Sequence, residues 1–196
     1  MYKHFKRGFD LILSLVGTGV LLVPMGVIAA VIKAESKGSV LFKQGRVGKD
    51  KKLFKIYKFR TMYTDAPKDV PTHMLNNPEA FITKSGRFLR KTSLDELPQL
   101  FNIIKGEMSI VGPRPALYNQ YDLIAERDKY GANSITPGLT GLAQVMGRDE
   151  LPIDVKAAYD GEYVKKMSLL TDLKIIAKTA LAVIKEDGVR EGSQKN

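Results

Sequence analysis

Two adjacent acidic residues, Asp95 and Glu96, are the most chemically informative feature of the sequence. Arg90 precedes them, and Arg114 follows in the segment Gly112-Pro-Arg-Pro. Neighbouring carboxylates suit a divalent cation, and arginines beside that cation can share the negative charge of a phosphoryl group. The cluster therefore predicts phosphoryl chemistry as the first functional hypothesis.

A pair of acids can divide the work of such a reaction. One carboxylate can attack a phosphorus centre and form an acyl-phosphate, provided that a second acid or a metal lowers the repulsion between the nucleophile and the phosphate. One acid would then attack while the other holds Mg²⁺. Adjacent residues of a regular helix point about 100° apart, so this arrangement needs an irregular backbone or a substrate between the two acids.

The acidic pair also has a purely structural interpretation. Ser93-Leu-Asp-Glu matches a capping box, in which Ser93 and Glu96 bond backbone amides at a helix start. Pro98 counts against a full box, because a helix that starts at Leu94 needs the N–H that proline lacks, whereas a start nearer Leu97 does not. The later start would place the carboxylates at a helix mouth whose free amides favour an anion.

The basic residues around this cluster have two interpretations as well. Prolines on both sides restrict Arg114, which lowers the entropy lost when its guanidinium grips a phosphate or a planar base, but the segment could equally be a stiff surface turn. Lys55, Lys58 and Arg60 lie on one predicted strand. A basic strand face is usually solvated, and this is the plainer expectation for these residues.

An uncharged apolar segment, Leu11–Ile32, predicts membrane attachment. As a helix its roughly 22 residues would extend about 33 Å, which is enough to cross a bilayer core. It is longer than the apolar region of a signal peptide. Basic residues flank it on both sides, so a straight span would send one basic flank outward against the positive-inside bias. These flanking residues are Lys3, Lys6, Arg7, Lys33 and Lys37.

Pro24 interrupts this apolar segment and offers a second topology. An interior proline removes a helix hydrogen bond and commonly kinks the helix, and a bend there would return both ends to one side of the membrane. An ordinary kinked spanning helix is the alternative, since proline is tolerated in membrane helices.

The remaining elements must position the acidic cluster. Alternating apolar and polar residues in Val40–Gln44 and Leu53–Met62, separated by a glycine-rich turn, predict a β-hairpin. Tyr63–Glu79 and Thr136–Arg148 are interpreted as loops. Helical periodicity indicates five further helices, with Gly106 and Gly131 as stops for the second and third. These helices are Ser85–Lys91, Leu97–Lys105, Ala116–Tyr130, Ile153–Met167 and Leu170–Glu186.

Composition limits the function classes. The 196 residues are 44% hydrophobic, carry a net charge of +10 and include no cysteine, so disulfides, thiol catalysis and cysteine-bearing metal sites are excluded. The two histidines, His4 and His73, are far apart and lack ligand partners at useful spacing. The positive charge should attract polyanions, whether nucleic acid, anionic lipid headgroups or phosphorylated substrates, and charge alone does not choose among them.

Several motifs resemble those of one family when they are taken in order. They are the basic-flanked apolar segment broken at Pro24, Gln44-Gly-Arg, Tyr57-Lys-Phe-Arg-Thr-Met, Ser93-Leu-Asp-Glu-Leu-Pro-Gln-Leu-Phe-Asn, Gly112-Pro-Arg-Pro and Pro137-Gly-Leu-Thr-Gly-Leu-Ala-Gln-Val. The chain resembles, from about residue 1 to 188, the small monotopic phosphoglycosyl transferases of the bacterial sugar transferase family. Each motif is weak alone, but their order and spacing are specific.

The resemblance implies a reaction. A sugar-1-phosphate would pass from a UDP-sugar donor to the acceptor undecaprenyl phosphate with release of UMP, as the first membrane step of polysaccharide or glycoconjugate assembly. Asp95 would be the nucleophile that forms a covalent phospho-sugar intermediate in a ping-pong mechanism, and Glu96 would hold Mg²⁺. Lys58 and Arg90 would contact phosphate, Pro113 and Arg114 the uridine diphosphate, and Gln144 and Arg148 would line the pocket.

The resemblance also implies a fold and a location. The expected class is α+β and mainly helical: a re-entrant membrane helix over residues 1–36 kinked at Pro24, a catalytic domain over 37–188 with a small β-hairpin and amphipathic interfacial helices, and a flexible tail over 189–196. The protein would lie on the cytoplasmic face of the bacterial inner membrane, in contact with membrane lipids and without a nucleic-acid partner. The resemblance does not decide whether the protein forms a homo-oligomer.

Two departures from the family pattern stand out. Many members have Ser where this chain has Val23, which leaves the kink without that hydroxyl, and many have Asn where this chain has Met146, which puts a sugar contact there in question. A membrane-tethered polyanion binder and a non-catalytic scaffold are the rival classes. A multi-span transferase without a covalent intermediate would need more than one apolar segment. The sugar is not identified by the residues.

Overall fold

A computed structural model describes residues 2–67, 77–147 and 151–184, and its architecture is α+β, as predicted. The α-helices of these ranges are α1 (Tyr2–Glu35), α2 (Lys84–Lys91), α3 (Gln99–Lys105), α4 (Tyr121–Asp128), α5 (Leu142–Met146), α6 (Ile153–Lys166) and α7 (Leu169–Ile184). The strands are β1 (Leu41–Val47), β2 (Leu53–Phe59), β3 (Ser109–Val111) and β4 (Gly138–Thr140).

The predicted β-hairpin is confirmed. Strands β1 and β2 are antiparallel, with Leu41 opposite Phe59 and Val47 opposite Leu53. Ile56 on β2 packs with Ile103 of α3 and Met108 in one buried cluster, so the hairpin is fixed against the element that follows the acidic pair.

A second, parallel strand pair was not predicted. Strand β3 pairs with β4, and the pair is followed by α5, whereas the sequence favoured a loop over Thr136–Arg148; that expectation is wrong for β4 and α5. Both elements are too short to show a hydrophobic period. The backbones approach so closely that a Cβ on Gly138 would lie 2.1 Å from the Gly112 nitrogen, which explains the glycines of this segment.

The other predicted helices are present, but α3 begins at Gln99 instead of Leu97, and α4 is clearly shorter than expected. Instead of beginning near Ala116, α4 begins at Tyr121, because Gln120 accepts the Leu117 N–H at 2.8 Å and closes a separate turn. It ends before Lys129, so Gly131 is not its direct stop. Gly106 does end α3, with a φ of 85°. Residues 68–76 of the predicted loop Tyr63–Glu79, and the predicted tail over 189–196, lie outside the described residues.

Helix α1 packs one face against the rest of the chain and exposes the other. It is helical on both sides of Pro24 over 34 residues. The buried residues are separated by 4, 7 or 11 positions, which are whole numbers of helical turns to within a fraction of a residue and place them on one face: Lys6, Asp10, Ser14, Met25 and Ile32. The opposite face carries exposed apolar residues such as Val16, Val20, Val23 and Val27. By length and composition this helix could cross a membrane.

The N-terminal end of α1 is bonded to the helices and strands that follow the acidic pair. The Lys6 ammonium lies 2.6 Å from Asp172 of α7, and both side chains are buried. Arg7 donates to the carbonyls of Ile103 and Ile104 at 2.6 and 2.9 Å, at the C-terminal end of α3. Cations favour this end of a helix because its last carbonyls are unpaired.

The C-terminal end of α1 is bonded to the same body. The Glu35 carboxylate accepts the N–H of Lys84 at 2.8 Å and the N–H and hydroxyl of Ser85, at the start of α2. Arg60, which follows β2, donates to the carbonyls of Ser36, Lys37 and Ser39 at 2.9, 2.7 and 2.7 Å. Both ends of α1 are therefore attached to one folded unit.

Candidate active site

The acidic pair lies on a short 3-10 turn, Leu94–Glu96, between α2 and α3. Ser93 before it has a left-handed backbone with φ 56° and makes no capping hydrogen bond, so the capping-box interpretation is wrong. Pro98 immediately precedes α3, which begins at Gln99. The turn supplies the irregular backbone that two adjacent acids need to serve one substrate.

Lys58 and Arg114 both contact this turn, from different elements of the fold. The Lys58 ammonium lies 2.7 Å from Glu96 Oε1 and 3.8 Å from Asp95 Oδ2. The Arg114 guanidinium lies 2.8 Å from the same Glu96 oxygen. The structure thus brings together four residues that the sequence nominated, drawn from β2, the acidic turn and the Gly112-Pro-Arg-Pro segment.

The environment of these groups shifts the pKa values of the two acids in opposite directions. Burial raises the pKa of Asp95, against the opposing charge of Lys58 and with a further contribution from the Glu96 carboxylate. Burial acts in the same direction on Glu96, but the charges and hydrogen bonds of Arg114 and Lys58 hold the pKa of Glu96 well below its usual range. Glu96 is therefore the fixed anion of the pair, and Asp95 is the buried carboxyl with the less stable charge.

The other nominated residues have different relationships to the pair. Arg90 stands in the last turn of α2, and its charge lowers the pKa of Asp95. The Pro113 carbonyl accepts the Gly138 N–H at 2.9 Å, which fixes the loop before Arg114. Arg148 lies outside the described residues.

Within the described part of the chain, the Gln144 side chain forms no hydrogen bond to Asp95 or Glu96. Its side-chain amide donates to the Leu139 carbonyl at 3.0 Å, and its Oε1 is buried without a partner among the described residues. It stands on α5 beside Gly141, close to the backbone of Gly112. Met146 on the same helix is 43% exposed.

Two of the basic residues that the sequence assigned to a solvated face are placed differently. The Lys58 side chain is only 17% exposed and is ion-paired, and Arg60 is 7% exposed, so the solvated interpretation is wrong for both. Lys55 is exposed, as expected. The carbonyls at the end of α1 and the acidic turn attract these two cations inward, which the alternation of the strand could not reveal.

Asn102 was not identified from the sequence. Its side chain links β2, which carries Lys58, to α3, which follows the acidic pair. It is fully buried on α3, accepts the Tyr57 N–H at 3.0 Å and donates to the Lys55 carbonyl at 2.8 Å. It also donates to Glu107 at 2.7 Å. A polar residue between the apolar residues Phe101 and Ile103 was the available signal, because buried side-chain amides are usually hydrogen-bonded.

The donor set of the pair fits one particular kind of metal site. The described residues contain no group of three or more His, Cys, Asp or Glu side chains that could enclose a metal. Mg²⁺ usually binds through one or two carboxylates and completes its shell with water and substrate phosphates. Asp95 and Glu96 therefore fit a magnesium ion that arrives with a phosphorylated substrate, and not a closed structural site.

Comparison with known proteins agrees with this geometry. The profile described as bacterial sugar transferase matches residues 1–186. The chain belongs to the bacterial sugar transferase family. The family predicted from the motifs is thereby confirmed.

Named relatives add context to this family membership. The chain is 36% identical to the undecaprenyl-phosphate galactose phosphotransferase of Salmonella typhimurium, over 95% of this chain and 42% of that protein. It is 37% identical to the exopolysaccharide production protein ExoY of Sinorhizobium fredii, over 91% of this chain and 84% of that protein. It is 40% identical to the uncharacterized sugar transferase EpsL of Bacillus subtilis, over 95% of this chain and 90% of that protein. The chain thus spans less than half of the Salmonella relative.

Proposed function

We propose that this protein is a phosphoglycosyl transferase that moves a sugar-1-phosphate from a UDP-sugar to undecaprenyl phosphate, giving undecaprenyl-diphosphate-sugar and UMP. The observation that carries the proposal is the convergence of Lys58 and Arg114 on Glu96 beside the buried Asp95. Family membership supports a sugar transferase, and the name of the Salmonella relative, an undecaprenyl-phosphate galactose phosphotransferase, supports the lipid acceptor.

Asp95 is proposed as the nucleophile. One of its carboxylate oxygens forms a bond to the phosphorus that carries the sugar, and the bond from that phosphorus to the bridging oxygen breaks, so UMP leaves with the electron pair. A phosphate oxygen of undecaprenyl phosphate then attacks the same phosphorus. The Asp95–phosphorus bond breaks, which releases the lipid product and restores the carboxylate.

The surrounding charges support this assignment of roles. Lys58 and Arg114 share the negative charge of the acidic turn and can do the same for the phosphoryl oxygens in the transition state. Arg90 adds a third positive charge on the Asp95 side. Glu96, which is held ionised, is the carboxylate best suited to Mg²⁺, which would neutralise phosphate charge when bound.

Helix α1 is proposed to lie in the cytoplasmic leaflet and to return to the side it entered. Its exposed apolar face offers a surface for lipid tails, while its two ends are bonded to one folded unit through Lys6 and Glu35. A helix that spanned the bilayer would place these ends on opposite sides and would break one set of contacts. The contacts at the two helix ends support the monotopic topology expected from the flanking charges.

Mass spectrometry of the intact protein tests the covalent mechanism. The detergent-purified chain is incubated with Mg²⁺ and a panel of UDP-sugars without lipid acceptor, and a mass increase equal to one sugar-phosphate is expected with the cognate donor. Asp95→Asn should abolish the increase. UMP release that requires undecaprenyl phosphate but shows no adduct under rapid quenching would contradict the covalent step, and absence of UMP release with every donor would contradict the proposed function.

A further inference from the structure

Three consecutive backbone carbonyls hold the loop that carries Arg114. The Pro113 carbonyl accepts the Gly138 N–H at 2.9 Å, and the Pro115 carbonyl accepts a hydrogen bond from Arg46 Nη1 at 3.0 Å. The carbonyl between them, that of Arg114 itself, accepts a hydrogen bond from Arg127 Nη1 at 2.9 Å. Elements distant in sequence therefore fix every peptide of this short segment.

Arg127 is itself held by a buried ion pair. Its Nε lies 2.8 Å and its Nη2 lies 2.6 Å from Asp160 Oδ2, and the two side chains are only 5% and 1% exposed. Arg127 belongs to α4 and Asp160 to α6, so neither stands on the turn that carries the acids. Burial of a charged pair is costly unless its geometry is good and its hydrogen bonds are satisfied.

The chemistry of arginine explains how the pair can act on the loop. A guanidinium has five donors in a rigid planar fork, so two of them can bind Asp160 while a third points to the Arg114 carbonyl. The prolines fix φ at 113 and 115, and Pro115 also confines the ψ angle of Arg114 to the extended region. The freer angles of the segment are the ψ of Pro113 and the φ of Arg114, and the hydrogen bond from Arg127 to the Arg114 carbonyl restrains both by fixing the peptide that follows them.

We propose that Arg127 and Asp160 form a positioning pair, which orients the peptide of Arg114 so that its guanidinium meets Glu96 at the acidic turn. The inference rests on the proposed function, since it assigns Arg114 to the transferase site. Arg127 touches neither the acids nor the substrate in this assignment. Its effect on catalysis passes entirely through Arg114, whose side chain is 37% exposed and depends on the loop for its direction.

A double-mutant cycle tests this pathway. Arg127→Lys keeps a positive charge beside Asp160, which protects the fold, but an ammonium cannot reproduce the planar fork that reaches both partners. With Arg114 present, the kcat/KM for UMP release should fall by about 10- to 100-fold, the usual cost of losing a group that orients a site residue. In an Arg114→Ala background the same change should have less than about a threefold further effect. Asp160→Asn should behave like Arg127→Lys in both backgrounds.

Asp128→Asn is the matched control. Asp128 is the next residue of α4 and pairs with Lys51 at 2.8 Å, but both side chains of this pair are about half exposed. Its substitution should leave kcat/KM within about twofold of the wild type, since exposed ion pairs contribute little. If Arg127→Lys lowers kcat/KM by the same factor in both backgrounds, its effect does not pass through Arg114 and the inference is overturned.

A readout without turnover separates this inference from the proposed function. In protein labelled with ¹⁵N-arginine, the Nε–H signal of Arg114, assigned by its loss in Arg114→Ala, should be ordered in the wild type and in Asp128→Asn. It should broaden or shift to the position of a solvated arginine in Arg127→Lys. An Arg114 signal that is unchanged in Arg127→Lys would overturn the positioning role even if no donor is ever turned over, whereas failure of UMP release in the wild type would overturn only the proposed function.

Discussion

The Lys58 ammonium lies 2.7 Å from the Glu96 carboxylate, although the two residues are 38 positions apart and belong to different elements. Strand β2 supplies the lysine and the turn after α2 supplies the acid. Because Glu96 also binds Arg114, its negative charge is matched by two cations before any substrate arrives. Among the ion pairs of the described residues, Asp95 next to it has the longer 3.8 Å contact to Lys58, and this asymmetry is the basis for the different roles proposed for the two acids.

Asp95→Asn should stabilise the fold while it abolishes transfer. The pKa of Asp95 is raised in the folded state, so the folded chain holds this proton more tightly than the unfolded chain, and stability falls as the pH rises above the ordinary value of 3.8. At neutral pH the substitution removes a buried charge and should add about 0.5–2 kcal/mol to the free energy of unfolding. Chemical denaturation in detergent at pH 7 measures this. A destabilised Asp95→Asn variant would contradict the assignment of Asp95 as the buried carboxyl with the less stable charge.

Glu96→Gln should have the opposite effect on stability. The pKa of Glu96 is lowered in the folded state, so its contribution is fully present above the ordinary value of 4.5 and is lost as the pH falls through the folded-state pKa. The neutral amide weakens two charge-assisted contacts and should cost about 1–3 kcal/mol at pH 7. The free energies of unfolding of Glu96→Gln and Asp95→Asn are measured in parallel at pH 7. Equal changes of the same sign in the two variants would argue against different roles for Glu96 and Asp95.

Lys58→Gln should move the acidic side of the pH–rate profile to higher pH. The charge of Lys58 opposes the rise that burial causes in the pKa of Asp95, so its removal leaves more of Asp95 protonated at a given pH. The measurement is kcat/KM for UMP release as a function of pH. Lys55→Gln is the matched control, because Lys55 lies on the same strand and is exposed. An acidic limb that stays in place in Lys58→Gln would exclude Asp95 as the titrating nucleophile.

Arg60→Lys should detach the C-terminal end of α1. Arg60 donates to three carbonyls after this helix, and a lysine ammonium in its place cannot reach all of them. Loss of two hydrogen bonds from a charged donor, at about 1.5 kcal/mol each, should lower the free energy of unfolding by about 3 kcal/mol. Arg87→Lys is the control, since the Arg87 side chain is 61% exposed. Equal melting temperatures for both variants would show that this contact does not anchor the helix.

The sequence predicted the elements whose periodicity extends over several turns. Helix α6 begins at Ile153 as expected and α7 begins one residue early. The β-hairpin is present, but β1 extends to Val47 into the predicted turn and β2 ends at Phe59 instead of Met62. The pair β3–β4 was missed because three-residue strands show no period and because their pairing depends on a contact between Gly112 and Gly138, far apart in sequence. The helix predicted over Ala116–Tyr130 begins later than expected. The Gln120 side chain accepts a hydrogen bond from the backbone N–H of Leu117, which favours a turn over helix formation there.

The acidic pair and its partners could be nominated from the sequence because their types and spacing are typical of phosphoryl chemistry. What sequence could not provide is the set of contacts that holds them: Asn102 between α3 and β2, and Arg127 between Asp160 and the Arg114 carbonyl. Each of these residues could equally have been an exposed polar residue on an amphipathic helix. Only the folded arrangement distinguishes a buried arginine that bonds a loop carbonyl from a solvated one.

The topology of α1 can be tested with single cysteines, because the chain contains none of its own. His4→Cys and Lys37→Cys place a thiol near each end of α1, and Val20→Cys places one on its exposed apolar face. In sealed inside-out vesicles a membrane-impermeant maleimide should label the first two, since both helix ends are bonded to one folded unit, and should spare the third, which the bilayer would cover. In intact cells none of the three should react. Labelling of His4→Cys and Lys37→Cys from opposite sides would show that α1 spans the membrane and that its contacts through Lys6 and Glu35 cannot both persist there.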